Sequence, residues 1–200
     1  MKVKNWMTKD PVTIGPRASL NKALELIRQH SIRHLPVVED GLMQGLVTES
    51  NIRQYLYPSV LEEVAVSDIM IVNPITVDPN ASLDSVARLI QHYKIGGLPV
   101  LEKRQLVGII TNTDIVGAFI EFLGLLKKSS RLDVVLSEKD GTLDDVIRLI
   151  REMGGRVLNI VVDAQSPRKK VHYIRLEKGD LTPIVQALGK RGHKVLSVLD

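Results

Sequence analysis

Sliding the chain against itself by 63 residues aligns Met7–Ile52 with Met70–Ile115 without a gap, and 17 of the 46 pairs are identical. The identities include Pro11/Pro74, Thr13/Thr76, Pro16/Pro79, Leu35/Leu98, Pro36/Pro99, Gly45/Gly108 and Thr48/Thr111. A match of that length marks a duplicated structural unit, so whatever the first copy folds into, the second repeats. A copy of about 55 residues has a thin core by itself, and two copies that bury their sheets together are far more stable.

Each copy has the same internal grammar. "PVTI" and "PITV" are short β-branched runs closed by Gly-Pro or Asp-Pro, which predicts a strand and a turn. Ser19 and Ser82 are N-cap residues for helices whose apolar faces are Leu20, Ala23, Leu24 and Ile27 in one copy and Leu83, Val86, Ala87 and Ile90 in the other. "HLPVVE" and "GLPVLE" open hairpins that return through "MQGLVT" and "LVGIIT", and a helix starts near the Thr. Each copy therefore reads strand, helix, strand, strand, helix.

This order, "PVTI … ALELIRQHSIRHLPVV … GLVTESNI", written twice, resembles a tandem pair of CBS domains (a Bateman module) over roughly residues 1–125. The most telling stretch is "GIITNTDI" at 108–115, echoed by "GLVTESNI" at 45–52. A Thr at a helix start caps free backbone N–H groups, and that helix end also favours an anion. An Asp one turn later offers two acceptor oxygens, matched to the vicinal hydroxyls of a ribose. Thr-x-x-Asp also fits a capping box that only terminates a helix. The resemblance implies the ligand-binding alternative: Thr111 and Asp114 would hold the ribose and phosphate of an adenosine-type ligand, with Ile109 flanking the base. It also implies that each cleft draws on both copies. Asp10, Pro11 and Val12 would offer backbone to the base at the Asp114 site, with Arg33 and Gly97 nearby. At the other site the corresponding set is Asn73, Pro74, Ile75, His34, Leu46, Thr48 and Asn51. Asn51 brings no charge, so that site is expected to be the weaker. Arg33 and His34 stand where the family often meets ligand phosphates, whereas the second copy has Gly96 and Gly97, which either leave room for ligand or shape a turn.

Residues after about 130 do not join the repeat. "RLDVVLS", "RVLNIVVD", "KKVHYIRLE" and "HKVLSVL" read as strands. Helices are expected after Thr142, ending at Gly154-Gly155, and after Asp180, with Pro183 in the first turn. The order βαββαβ is the ferredoxin-like plan. With a Gly in the first strand-to-helix turn it resembles an ACT domain, although Asp140-Gly141 stands where that family usually has Pro-Gly. Asp140, Gly141 and Thr142 would form its effector turn; alternatively, the Gly serves only the turn and the domain dimerises. Two CBS units followed by an ACT-like domain resemble the acetoin-utilisation protein B family of bacteria, a likeness carried by Ser31–Val38, Ile95–Val100 and Arg191–Val195. The expected architecture is α/β (α+β), with CBS domains at 1–62 and 63–128 and the ACT-like domain at 129–200.

Composition narrows the functions. The chain is 44% hydrophobic with two Phe and one Trp, so its core is aliphatic. Having no cysteine excludes disulfides, thiolate metal sites and a Cys nucleophile. No apolar run reaches about 18 residues and the start lacks an apolar leader segment, so a cytoplasmic protein without a membrane span is expected. The net charge of +4 is mild, and the clusters at 127–131 and 166–170 fall in expected connections, so nucleic acid is not an expected partner. No P-loop, His-Glu-x-x-His or Gly-x-Ser-x-Gly proposes a reaction, and the histidines do not group as metal ligands. The reading is a non-enzymatic regulatory sensor that takes AMP, ADP, ATP, S-adenosylmethionine or NAD as a ligand rather than as a required cofactor, and relays binding to the ACT-like domain or a target protein. The alternative is a homodimeric interaction module without a physiological nucleotide, for which "IVGAFIEFLGLLKK" (115–128) supplies apolar surface.

Overall fold

The structure, a computed structural model, describes residues 1–55, 57–137, 142–163 and 170–199. It divides into two compact units, Met1–Ala118 and Phe119–Asp200.

In the first unit the duplication is literal. Helices α1 (Leu20–Gln29) and α5 (Leu83–Tyr93) are capped by Ser19 and Ser82, whose hydroxyls accept from the Lys22 and Ser85 N–H groups at 3.2 and 3.1 Å. Leu20, Ala23 and Ile27 are buried, as are Leu83, Val86 and Ile90, the same positions 63 residues on. Hairpins β2 (His34–Glu39)/β3 (Leu42–Thr48) and β5 (Gly97–Glu102)/β6 (Gln105–Thr111) share one register, including an irregularity at Val37/Val38 and again at Val100/Leu101. Short helices α2 (Glu49–Ile52), α3 (Pro58–Glu63) and α4 (Val66–Ile69) complete the first copy, and α6 (Asn112–Phe122) follows β6.

The expected opening strands are corrected. "PVTI" and "PITV" each contribute one bridging residue, Ile14 opposite Val37 and Val77 opposite Val100. Pro11 and Pro74 lack the N–H that a ladder needs, and the residues before them, Asp10 and Asn73, bend the chain at φ of 46° and 51°. The strand that does form lies earlier and crosses over. Strand β1 (Thr8–Lys9) pairs with β6 of the second copy, Thr8 opposite Ile109 and Lys9 opposite Gly108. Strand β4 (Ile71–Val72) pairs with β3 of the first copy, Gly45 opposite Val72 and Leu46 opposite Ile71. The sheets are thus β1-β6-β5 and β2-β3-β4, each finished by a strand from the other copy. Gly45 and Gly108 permit this. A Cβ at Gly108 would lie 2.6 Å from Met7 Sδ and 2.8 Å from the Thr8 carbonyl; one at Gly45 would lie 2.7 Å from Met70 Sδ and 2.8 Å from the Ile71 carbonyl.

The second unit is an antiparallel sheet in the order β10 (Lys194–Leu199), β7 (Ser129–Val135), β9 (Val171–Glu177), β8 (Val157–Val162). With α7 (Leu143–Glu152) and α8 (Thr182–Lys190) this is the ferredoxin-like order. Leu132, Val134, Ile174 and Leu176 from the two central strands pack with Val146, Ile150, Ile184 and Leu188 from the helices. Two local readings change. Strand β7 starts at Ser129, inside the basic stretch taken for a connection, because Ser129 and Ser130 pair with Glu177 and Leu176. Helix α8 starts at Thr182, two residues beyond Asp180, whose carboxylate accepts the Thr182 N–H at 2.9 Å from outside the helix. His172 and His193 are buried, and His193 Nδ1 accepts the Ser137 N–H at 3.2 Å.

Candidate functional site

Both Thr-x-x-Asp/Asn stretches form capping boxes. Asp114 Oδ2 accepts from the Thr111 N–H at 2.8 Å and from Thr111 Oγ1 at 2.7 Å, while Oγ1 accepts the Asp114 N–H at 3.4 Å. Asn51 Oδ1 accepts from the Thr48 N–H at 3.1 Å and from Thr48 Oγ1 at 2.6 Å, and Thr48 Oγ1 accepts the Asn51 N–H at 3.2 Å. All four side chains are half-buried. The structural role and a binding role coexist at Asp114, since the cap uses one carboxylate oxygen and leaves Oδ1 outside these bonds. At Asn51 they do not coexist in the expected way. A backbone N–H only donates, so the amide atom facing the Thr48 nitrogen is the oxygen, and its two lone pairs are both spent. What Asn51 presents is the Nδ2 donor.

The helix-end amides are mostly committed as well. The Asn112 N–H goes to the Gly96 carbonyl and the Glu49 N–H to the Arg33 carbonyl, both at 3.0 Å. In the first turn of α6 that leaves Thr113, among the described residues, as the residue whose N–H has no such bond. An anion there meets one donor rather than a cradle.

The register brings β1 beside Ile109, the residue expected to flank the base. Its direction carries the chain from Lys9 away from the Thr111 end, so Thr8 is nearer that end than Asp10, Pro11 or Val12. In the same way β4 lies along Leu46 and leads into Asn73, Pro74 and Ile75. Gly97 and Thr111 face each other across the β5/β6 hairpin. The space over Gly96 and Gly97 belongs to His34 of the other copy: a Cβ at Gly96 would lie 2.8 Å from His34 Nε2, and one at Gly97 would lie 3.4 Å from Nδ1 and 3.2 Å from Thr111 Cγ2. The paired glycines are therefore a seat for an imidazole, a use that neither earlier reading of them contained. The signal was present in the sequence, since His34 and Gly97 are the same repeat position.

Burial pushes the His34 pKa down, and the Arg33 charge pushes it further. The folded protein thus binds this proton less readily than the unfolded chain. Stability from the neutral ring is complete above the ordinary value of about 6.5 and is lost as pH falls through it, until the folded form also takes up the proton. His34→Gln is expected to flatten the fall in urea midpoint between pH 7.5 and 5.5; an unchanged slope would remove His34 from the account.

In the second unit Thr142 is spent on a capping box with Asp145, whose Oδ2 accepts the Thr142 N–H at 3.0 Å and its hydroxyl at 2.8 Å. Asp140 and Gly141 lie outside the described residues. A shallow hollow of about 530 Å3 lies between α5 and α6 in the first unit, lined by Ala87, Ile90, Gly96, Asn112 and Ile115 among others; Thr111 and Asp114 are not among its walls. Among the described residues no group of three or more His, Asp or Glu side chains is arranged to hold a metal ion. No helix among them is long and apolar enough to cross a membrane.

Comparison with known proteins agrees with the duplicated geometry. The CBS domain model matches residues 3–58 and again 66–121. A CBS domain-containing protein of Bacillus subtilis, YhcV, is 30% identical over 114 residues, 56% of this chain and 81% of that protein. Some relatives are longer: MJ1404 of Methanocaldococcus jannaschii is 32% identical, and the match spans 88% of this chain but 43% of that protein. A crystal structure from Vibrio cholerae, provisionally named for acetoin utilization (AcuB), superposes with a TM-score of 0.58 at 34% identity, covering 64% of this chain and 97% of that one. The CBS domain pair of MJ0100 in complex with 5-methylthioadenosine and S-adenosyl-L-methionine superposes with a TM-score of 0.55 at 32% identity, covering 60% of this chain and 95% of that one.

Proposed function

We propose, from the premise that this chain belongs to the CBS domain family and carries the domain twice, that it is a non-catalytic regulatory sensor of an adenosine-type ligand. The observation that carries this reading is the Asp114 carboxylate. Its Oδ2 completes the helix cap, and its Oδ1 remains to accept the hydroxyls of a ribose, beside Ile109 and the strand lent by the other copy. A charge-assisted bond of that kind is roughly twice as strong as a neutral one. The complex of the similar MJ0100 pair with two adenosine derivatives supports the ligand class. Thr111, Asp114, Ile109 and Gly97, with backbone from Asp10, Pro11 and Val12 and charge from Arg33, make up the proposed stronger site. Thr48, Asn51, Leu46 and His34, with Asn73, Pro74 and Ile75, make up the weaker.

Ligand binding regulates only if it favours one arrangement of the protein over another. The second unit, read as ACT-like from its ferredoxin-like order, is the proposed recipient of that shift, with a target protein beyond it. The likeness to the Vibrio cholerae protein supports a place near acetoin or central carbon metabolism. A thermal-shift panel of adenosine, AMP, ADP, ATP, S-adenosylmethionine and NAD tests the reading. A true ligand at about 100 times its dissociation constant adds about 2.7 kcal/mol. At least one of the panel is expected to do so, and silence from all six would refute the sensor.

A second reading keeps a specific observation behind it. Phe122 and Leu126 are 66% and 84% exposed, in the stretch read as interaction surface. That surface fits a homodimer, with or without a nucleotide.

A further inference from the structure

The charge of the chain is not shared between its two units. Residues 1–118 carry 12 Lys and Arg against 12 Asp and Glu, and residues 119–200 carry 15 against 11, so the whole net charge of +4 falls in the second unit. Helix α7 has no part in the excess, since Asp144, Asp145 and Glu152 outweigh Arg148 and Arg151. The sheet does. Leu132, Val134, Ile174 and Leu176 pack with the helices, so by strand alternation Arg131, Asp133, Tyr173 and Arg175 stand on the opposite face. Their register neighbours Leu199 (beside Arg131) and Val161 (beside Tyr173) are 47% and 40% exposed, so solvent reaches this face. Leu123 and Gly124 lie at one corner of it, near Asn159 and Arg175.

Charge on this face is out of balance. Arg131 and Arg175 are directly opposite each other, and like charges in that register repel. Arg131 is answered by Asp133 at 2.8 Å, whose other oxygen accepts from Ser197 Oγ at 2.6 Å. Arg175 donates to a neutral group, Ser129 Oγ, at 2.7 Å, and among the described residues no carboxylate pairs with it; Glu177 pairs with Arg156 at 3.0 Å. Exposed lysines stand at both ends of the two central strands. Lys127 and Lys128 precede β7 and Lys178 follows β9 at one end, while Lys170 precedes β9 and Lys194 pairs with Val135 at the other. The seven residues of β7 put roughly 20 Å between these ends. In the middle the Arg131 guanidinium lies 5.1 Å over the centre of the Tyr173 ring.

A basic track with a flat π group at its centre fits one kind of polyanion. A nucleic-acid base stacks on an aromatic ring or a guanidinium plane, and four-stranded sheets that read single-stranded RNA do so with such groups on the open face. A duplex keeps its bases stacked and offers grooves that take a helix, yet the helix α7 begins with Asp144 and Asp145, which phosphates repel. We propose that the open sheet face of the second unit binds single-stranded nucleic acid, with phosphates drawn to Arg175 and the terminal lysines and bases stacked at Tyr173 and Arg131. The mild overall charge concealed this, because it averages a neutral unit with a basic one. The proposal does not rest on the adenosine-type reading.

Fluorescence anisotropy of a labelled oligouridine of about ten nucleotides, titrated with the full chain over a range of salt, tests it on the wild type, Arg175→Gln, Tyr173→Leu and Arg148→Gln. The last removes one positive charge from the helix side. The wild type is expected to bind, and more weakly as salt rises. Arg175→Gln is expected to reduce the slope of log affinity against log salt by about 0.7, the share of one phosphate on a single strand. Tyr173→Leu is expected to weaken binding about tenfold at an unchanged slope, the worth of one stacked base. Arg148→Gln is expected to do neither. If Tyr173→Leu fails to fold, the contrast between Arg175→Gln and Arg148→Gln decides alone. No salt-dependent binding by the wild type, equal behaviour of the sheet and helix variants, or equal affinity for a duplex hairpin or for oligoglutamate overturns the proposal.

Discussion

Replacing Gly108 by valine is expected to lower the stability of the first unit by about 1–3 kcal/mol, the usual cost of forcing bulk into a close-packed seam. The side chain added at Gly108 meets Met7 Sδ at 2.6 Å and the Thr8 carbonyl at 2.8 Å. The methionine can swing aside, since it is a flexible thioether. The carbonyl cannot, because it belongs to the strand that pairs with β6. Strand β1 must therefore leave the sheet or β6 must bend, and either outcome loosens the exchange that joins the copies. Gly45→Val is expected to act in the same direction through Met70 and Ile71. Gly117 is the control: it lies in α6 with nothing within 4 Å of an added Cβ, so Gly117→Ala is expected to be neutral or to stabilise by up to about 1 kcal/mol. Urea unfolding of the three variants measures this. Equal midpoints for Gly108→Val and Gly117→Ala would mean that the crossed strands contribute nothing to stability.

The second large effect is on binding. Asp114→Ala removes the acceptor for the Thr111 N–H and hydroxyl together with the oxygen offered to ligand. The ligand-free protein is expected to lose about 1 kcal/mol through the cap. Binding is expected to weaken by about 10–100-fold, the cost of removing a charged hydrogen-bond partner. At a concentration that gives the wild type about 2.7 kcal/mol of ligand stabilisation, a hundredfold loss leaves about 0.4 kcal/mol. The two effects separate because Asp114→Asn retains an acceptor for the cap, as Asn51 does in the other copy. Asn is therefore expected to recover the ligand-free melting temperature without recovering the ligand shift. Full recovery of both by Asn would show that the carboxylate matters only to the helix.

Much of this architecture was legible because periodicity and capping are local. Ser19, Ser82 and Thr142 fall at helix starts and bond the N–H three residues on, as their spacing demands. The order of elements in the second unit follows from alternation and turn residues. What escaped the sequence depends on partners far along the chain. Thr8-Lys9 and Ile71-Val72 are two-residue, exposed strands with no pattern of their own, and the partner sheet alone makes them strands. "PVTI" has strand composition, yet its prolines and the bend before it allow one bridge. At the candidate site the residue types were readable, but the direction of each hydrogen bond was not. Asn51 and Asp114 look like a weaker and a stronger form of one residue until the capping bonds show which atom each has left. Likewise, Gly96-Gly97 reads as a turn or an open floor until His34 is found above it.

A crystal structure of the full chain with bound AMP tests the central claim most directly. The account predicts ribose hydroxyls within about 3 Å of Asp114 Oδ1, with the base against Ile109 and the strand from the other copy. AMP seated instead in the hollow between α5 and α6, against Ala87, Ile90 and Ile115, with Asp114 touching only Thr111, would contradict it.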